Sequence, residues 1–189
     1  MLNKLLQWDQ EFFLLLNGAG AETFDSFWVF VSSTKSALPL FLFIVFLLIK
    51  KHGTSFWQGL VLILIVVSLA DLTSVHAFKN VFMRLRPCHE PELIDQIRLL
   101  VSKGGLYGFV SSHAANFFGI AAIVSALFAE RKYIPYLLYS WATLVAYSRI
   151  YVGKHYPLDV IGGALLGILI AKLLWRLILK IKEKHTLAV

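Results

Sequence analysis

Apolar residues in this chain run in long stretches rather than alternating with polar ones. Five stretches dominate, at residues 37–49, 56–78, 114–128, 133–151 and 158–179. The middle of the second, LVLILIVVSLA, is almost wholly apolar, while Asp71 and His76 stand near its far end. The hydrocarbon core of a bilayer is crossed by about 20 apolar residues in a helix, and a helix satisfies its own backbone there. The pattern predicts an all-α integral-membrane bundle of five transmembrane helices, or six if part of the N-terminal region inserts. Gly163 and Gly167 form a small-xxx-small pair in the last stretch, which predicts close helix packing.

Residues 1–34 read differently. The start, MLNKLLQWDQEFFLLLNG, is interrupted by Asp9 and Glu11 and has Lys4 as its only basic flank, so it does not resemble a cleavable signal. It predicts an amphipathic helix lying at the membrane interface, anchored by Trp8, Phe12 and Phe13. A turn at Gly18 and Gly20 leads to a second interfacial or partly inserted helix. Residues 79–112 are a polar connection. The expected organisation is one membrane-embedded domain over 1–189, with 1–34 interfacial and 79–112 over one end of the bundle.

Composition agrees with a membrane class. The 189 residues are 58% hydrophobic, with mean hydropathy +0.72, too apolar for a soluble domain of this size. A net charge of +7 raises nucleic acid as a partner, but much of it flanks the hydrophobic stretches, as is usual in membrane proteins. The single Cys88 excludes an internal disulfide. With five spans, Lys50, Lys51, Arg131, Lys132 and the C-terminal lysines share one side, expected to be cytoplasmic. Lys79, Arg86 and Arg149 fall on the opposite, outer side, where chemistry explains them better than topology. His52 and His185 read as solvated interface residues.

Three polar blocks gather on the outer side: KNVFMRLRP at 79–87, VSSH at 110–113 and SRIYVGKHYPLD at 148–159. Charge at membrane depth is costly and usually functional. In the third block, Pro157 suits the first position of a helix and cannot continue one from before it. Asp159 then falls in the first helical turn, where an acid is favoured, and reaches back to His155. A carboxylate on one ring nitrogen fixes the tautomer and makes the other nitrogen a better base or nucleophile. Arg149, across the turn at Gly153, offers a fork for an anion, with phosphate the first candidate.

These blocks resemble the motifs of the type 2 phosphatidic acid phosphatase family, membrane relatives of the vanadium haloperoxidases. Lys79, Arg86 and Pro87 match the first motif. Ser111 and His113 match the second, where Val110 and Ser112 replace proline and glycine. Ser148, Arg149, His155 and Asp159 match the third. The resemblance implies a phosphatase in which His155 attacks phosphorus and forms a phosphohistidine, Asp159 orients its ring and His113 protonates the leaving oxygen. It implies that Lys79, Arg86, Ser111, Ser112, His113 and Arg149 bind the phosphoryl group. Ser148 and Asp71 are accessory candidates. Asp71 reads equally as a buried hydrogen-bond partner or as a charge partner for a site cation. Arg84 reads as a snorkelling surface residue rather than a phosphate ligand, and His76 and His89 as structural or head-group residues. No cofactor or metal is expected, because the cations are side chains.

The expected partners are a membrane lipid phosphate and the bilayer, with no nucleic acid. The resemblance implies hydrolysis of a lipid phosphomonoester or pyrophosphate at the outer face of a bacterial inner membrane, with the C-terminus cytoplasmic. Undecaprenyl pyrophosphate is the first candidate, then lipid A phosphate or phosphatidylglycerol phosphate. Glu90, Glu92, Asp95 and Arg98 are candidates for head-group selection. A lipid phosphotransferase is an alternative outcome of the same intermediate. A transporter or lipid-binding protein would need polar residues along the depth of the bundle, whereas here the span centres are apolar.

Overall fold

The computed structural model describes residues 1–186. The side chain of His185, expected at the interface, lies outside the described residues. Every long element is helical. α1 (Leu2–Gly18) and α2 (Glu22–Ser32) precede α3 (Ala37–His52) and α4 (Phe56–Thr73). α4 continues through a π-helical turn, Ser74–Lys79, and a final short turn, α5 (Asn80–Phe82). After an irregular connection come α6 (Ser112–Leu127), α7 (Tyr133–Tyr151) and α8 (Pro157–Thr186). Among the described residues the only ladder pairing outside helices is an isolated antiparallel bridge between Leu85 and Tyr107.

α6 is the central helix, packed against α4, α7 and α8. Its contact with α8 is backbone to backbone, because a Cβ on Gly167 would collide with the Ala115 carbonyl and one on Gly163 with the Ser111 carbonyl. The small-residue pattern in the sequence therefore marks a real close crossing. Away from the site, Ile44, Leu48, Val66, Ile123, Val124, Phe128 and Leu138 form the main core. On the outside, Phe41, Phe46, Leu64, Leu69, Leu165 and Leu173 remain exposed. The stretch Thr34–Phe82, which includes α3 and α4, and the segment Pro157–Lys184 are long and apolar enough to cross a membrane.

α1 differs from its sequence-based reading in one respect. Trp8 and Phe12 are exposed, but Phe13 is 0% exposed, with its ring edge-on to Tyr156 at 5.4 Å between centroids. Burial of a phenylalanine is worth about 1.5–3 kcal/mol, so Phe13 fastens α1 to the bundle rather than to lipid. The polar residues of that face do the same. Asn17 donates its amide to the carbonyls of Arg98, Ile150 and Tyr151, at 3.1, 3.2 and 2.8 Å, and accepts from the Arg98 backbone N–H at 2.8 Å. One side chain thus closes the C-terminal end of α7, whose last carbonyls have no helical partner.

Candidate active site

The site is built where three helix ends converge. α7 ends at Tyr151, and Gly153 turns the chain with φ +80°. A side chain there would be strained by that φ and would meet the Arg98 carbonyl at 2.8 Å. The backbone N–H groups of Lys154 and His155 both bond to the Arg149 carbonyl, at 2.9 and 3.2 Å. α8 then starts at Pro157 with Asp159 in its first turn. Ser111 caps α6, its hydroxyl accepting from the Ala114 N–H at 3.5 Å. The Ser111 N–H donates to the Asp159 carbonyl at 2.9 Å, tying the start of α6 to the start of α8.

His155 and Asp159 face each other inside this junction. Their side chains are 2% and 0% exposed, with Nδ1 3.3 Å from Oδ2. The same Oδ2 accepts the Tyr156 N–H at 3.1 Å. An ionised carboxylate only accepts, so Nδ1 carries the proton in this pair and Nε2 presents its lone pair. Burial first, then the positive charges of Arg86, Arg149, Lys79 and Lys154, hold the His155 imidazole well below its ordinary pKa, which keeps it neutral. His113, in the first turn of α6, shares this field, with Arg149, His155, Lys79 and Arg86 as its electrostatic neighbours.

The cations come from different elements. The π turn carries Lys79, whose Nζ donates to Ser112 Oγ at 2.6 Å. Ser112 Oγ is also 2.6 Å from Ser74 Oγ. Arg86 leaves the connection after α5 and donates from Nε to the Tyr107 carbonyl at 3.0 Å. Arg149, 7% exposed, donates from Nη1 to the Ser32 carbonyl at 3.1 Å and to the Ser32 hydroxyl. Among the described residues its Nε is buried without a partner. Lys154 is buried and donates to the carbonyls of Ser102, at 2.8 Å, and Lys103. Burial, then Arg86, lowers its pKa to about 8. Among the described residues, none of Lys79, Arg86, Arg149 and Lys154 is ion-paired with a carboxylate. Buried cations without counter-ions are costly, and such a cluster is chemically suited to an incoming anion. Among the described residues no group of three or more His, Cys, Asp or Glu is arranged to hold a metal ion.

The structure therefore brings together Lys79, Arg86, Ser111, Ser112, His113, Arg149, His155 and Asp159 at one end of the bundle. It leaves two accessory candidates at the margin. The Ser148 hydroxyl turns back onto its own helix, donating to the Val145 carbonyl at 2.6 Å. Asp71 is exposed, which removes the reading of it as a buried partner, and acts on Lys79 only through its charge. Arg98 pairs with Asp25 of α2 at 2.8 Å rather than standing free for a head group. His89 is 3.2 Å from the Gly104 carbonyl through Nε2, a contact within the connection itself.

Arg84 is the largest correction. Its side chain is 18% exposed and bridges two carboxylates, Asp159 at 3.0 Å and Asp9 at 2.7 Å. Its guanidinium lies 4.0 Å from the centre of the Tyr156 ring. Snorkelling is excluded by these partners. Lys154 and Asp9 were also missed. For Lys154 the available signal was a second cation inside the third block. For Asp9 it was an acid in an otherwise apolar helix face.

A family model described as the PAP2 superfamily matches residues 57–183. The chain belongs to the PAP2 superfamily and is a membrane phosphatase. It is 30% identical over 184 residues to a lipid A 4'-phosphatase of Porphyromonas gingivalis, covering 95% of this chain and 77% of the relative. An undecaprenyl-diphosphatase of Sulfolobus acidocaldarius is 33% identical over 157 residues, 83% of this chain and 72% of that one. Among solved structures, LpxE of Aquifex aeolicus superposes with a TM-score of 0.69 at 27% identity, over 88% of this chain and 94% of that one. A phosphatidylglycerolphosphate phosphatase of Bacillus subtilis superposes with a TM-score of 0.75 at 22% identity, over 95% and 88%, a likeness of fold.

Proposed function

We propose that the chain hydrolyses a phosphate ester or pyrophosphate on a lipid head group through a phosphohistidine on His155. The observation that carries this reading is a buried, neutral histidine held by a carboxylate and surrounded by cations with no carboxylate of their own. The Nε2 lone pair attacks phosphorus as the bond to the leaving oxygen breaks, and His113, whose protonated form the bound phosphate's negative charge favours, delivers a proton to that oxygen. Water then attacks phosphorus as His113 takes its proton, the P–Nε2 bond breaks and returns its electron pair to the His155 ring, and inorganic phosphate leaves. Lys79, Arg86 and Arg149 hold the equatorial oxygens, where charge is stabilised in the transition state. Ser111 and Ser112 complete the phosphate end. In this reading the side-chain cations supply all the positive charge, and no metal is required.

The head group is proposed to be a phosphorylated saccharide of the lipid A kind, with undecaprenyl pyrophosphate second. This order reverses the sequence-based expectation. It is supported by the breadth of the match to the lipid A 4'-phosphatase. We place α3, α4, α6, α7 and α8 as five transmembrane helices of a single domain, with α1 and α2 at the outer interface. That placement is supported by their contacts with α7 and α8 and by Ser32 of α2 holding Arg149. The connection 79–112 then lies over the substrate's head group. The site faces the periplasmic side of a bacterial inner membrane, and the C-terminus is cytoplasmic.

The test is phosphate release by the purified protein in detergent with EDTA, from a panel of lipid phosphates and pyrophosphates, with His155→Ala alongside. Release that survives EDTA and vanishes in the variant supports the reading. Activity that needs added metal, or that persists in His155→Ala, contradicts it.

A further inference from the structure

Asp9 belongs to none of the three polar blocks, yet its carboxylate is buried at the edge of the site. One oxygen, Oδ1, accepts the Leu158 N–H at 2.9 Å, an orphan donor in the first turn of α8. The other, Oδ2, accepts from Arg84 Nη2 at 2.7 Å. Arg84 Nη1 in turn donates to Asp159 Oδ1 at 3.0 Å. The remaining Asp159 oxygen meets His155 Nδ1 and the Tyr156 N–H. The planar guanidinium rests on the Tyr156 ring, which fixes its tilt.

Each Asp159 oxygen is therefore committed in a different direction, one to the imidazole and one to the guanidinium. Held through Oδ2 alone, by His155 and the Tyr156 N–H, the carboxylate could still tilt about its Cβ–Cγ bond and let the ring swing. Held by a fork that is itself held by a second carboxylate, it cannot. A lysine in place of Arg84 would supply a point charge rather than a planar fork and would not grip both carboxylates in fixed geometry.

We propose that Asp9 and Arg84 are positioning residues for the phosphoryl transfer, so that the N-terminal helix α1 completes the active site by fixing the Asp159–His155 pair. Neither residue touches substrate. Both act through Asp159, and the inference rests on the reading of His155 as nucleophile given above.

The test is steady-state kinetics in detergent on full-length Asp9→Asn, Arg84→Met, Arg84→Lys, the double variant Asp9→Asn/Arg84→Met, and Asn17→Ala, with Asp159→Asn and His155→Ala as references. Thermal unfolding and monodispersity are followed for each. Asp9→Asn keeps an acceptor for the Leu158 N–H and turns an amide donor, which cannot accept from the guanidinium, toward Arg84. Misplacing a reacting group slightly costs up to about a hundredfold in rate. Asp9→Asn and Arg84→Met should therefore lose about ten- to hundredfold in kcat, with KM within about threefold. Arg84→Lys should recover part of the loss. The double variant should be no worse than Arg84→Met alone, because both residues act through one contact. Asn17→Ala loosens the same helix without touching Arg84, so it should lower the unfolding temperature while kcat stays within about twofold.

Wild-type kcat in Asp9→Asn and Arg84→Lys, with Asp159→Asn and His155→Ala inactive, overturns this inference and leaves the proposed function standing. A loss in Asn17→Ala equal to that in Asp9→Asn also overturns it, since α1 would then act only as a fastening. Full activity in Asp159→Asn and His155→Ala overturns the proposed function itself. Should Arg84→Met fail to fold, Asp9→Asn and Arg84→Lys still decide the question.

Discussion

Lys79 Nζ lies 2.6 Å from the hydroxyl of Ser112, at the position where the resembled motif carries glycine. The contact joins the π turn at the end of α4 to the first residue of α6. The hydroxyl holds one of the three donors of Lys79, and the ammonium keeps its charge for the site. Ser112→Gly should therefore cost about tenfold in kcat/KM, because one hydrogen bond to a charged group is worth about 1.5 kcal/mol at the low end. Lys79→Met should lose at least about a hundredfold, as expected for a charge that stabilises the transition state. Phosphate release by the two variants under identical conditions separates the two contributions.

Lys154 should give the site an alkaline limit. Burial, then Arg86, lowers its pKa to about 8. A lowered lysine pKa means that the charge is present below pH 8 and is lost as pH rises through that value. The neutral amine then holds the Ser102 and Lys103 carbonyls more weakly. The kcat/KM profile should fall on the alkaline side with a midpoint near pH 8. In Lys154→Arg, whose guanidinium stays charged, that limb should move up by at least about one pH unit.

Arg149 is fixed by Ser32 through Nη1, while its Nε is buried with no partner among the described residues. A lysine cannot grip the Ser32 carbonyl and an anion with one planar group. Arg149→Lys should lower kcat/KM by about a hundredfold, in the range of other transition-state donors. Ser32→Ala keeps the carbonyl contact and should cost about ten- to thirtyfold, the low end of the worth of one hydrogen bond to a charged group. A comparison of kcat/KM for the two variants checks this.

The α6–α8 crossing sets the distance between His113 and Asp159 by backbone contact at Gly167 and Gly163. Gly167→Ala would press a methyl into the Ala115 carbonyl. Overpacking of this kind costs roughly 1–3 kcal/mol or more. The unfolding temperature in detergent should drop by several degrees, on the order of 2–4 °C per kcal/mol for a chain of this size.

Much of this arrangement was legible along the chain because it is local. The spans announce themselves by unbroken hydrophobicity, and 133–151 coincides with α7. The third block encodes its own geometry: Pro157 starts α8, and Asp159, in its first turn, reaches back to His155 just before the helix. Gly163 and Gly167 marked the close crossing by spacing alone. What was not legible depends on pairs far apart in sequence. Asp9 meets Leu158 across a separation of 149 residues, and Arg84 meets Asp159 across 75. No periodicity reports such partners, so Arg84 read as a surface cation and Phe13 as a lipid anchor. The π turn at Ser74–Lys79 was equally hidden, since nothing in SVHAFK breaks a helical pattern.

The central claim is that His155 carries the phosphoryl group. The most direct measurement is rapid quenching of the purified protein with a phosphate-labelled lipid substrate, followed by peptide mass spectrometry under alkaline conditions that preserve phosphohistidine. The account predicts an acid-labile phosphoryl group on the peptide containing His155. That label should be lost in His155→Ala and accumulate in His113→Ala supplied with an activated leaving group. Label on His113 or on a serine, or turnover with no covalent phosphoenzyme at any quench time, would contradict it.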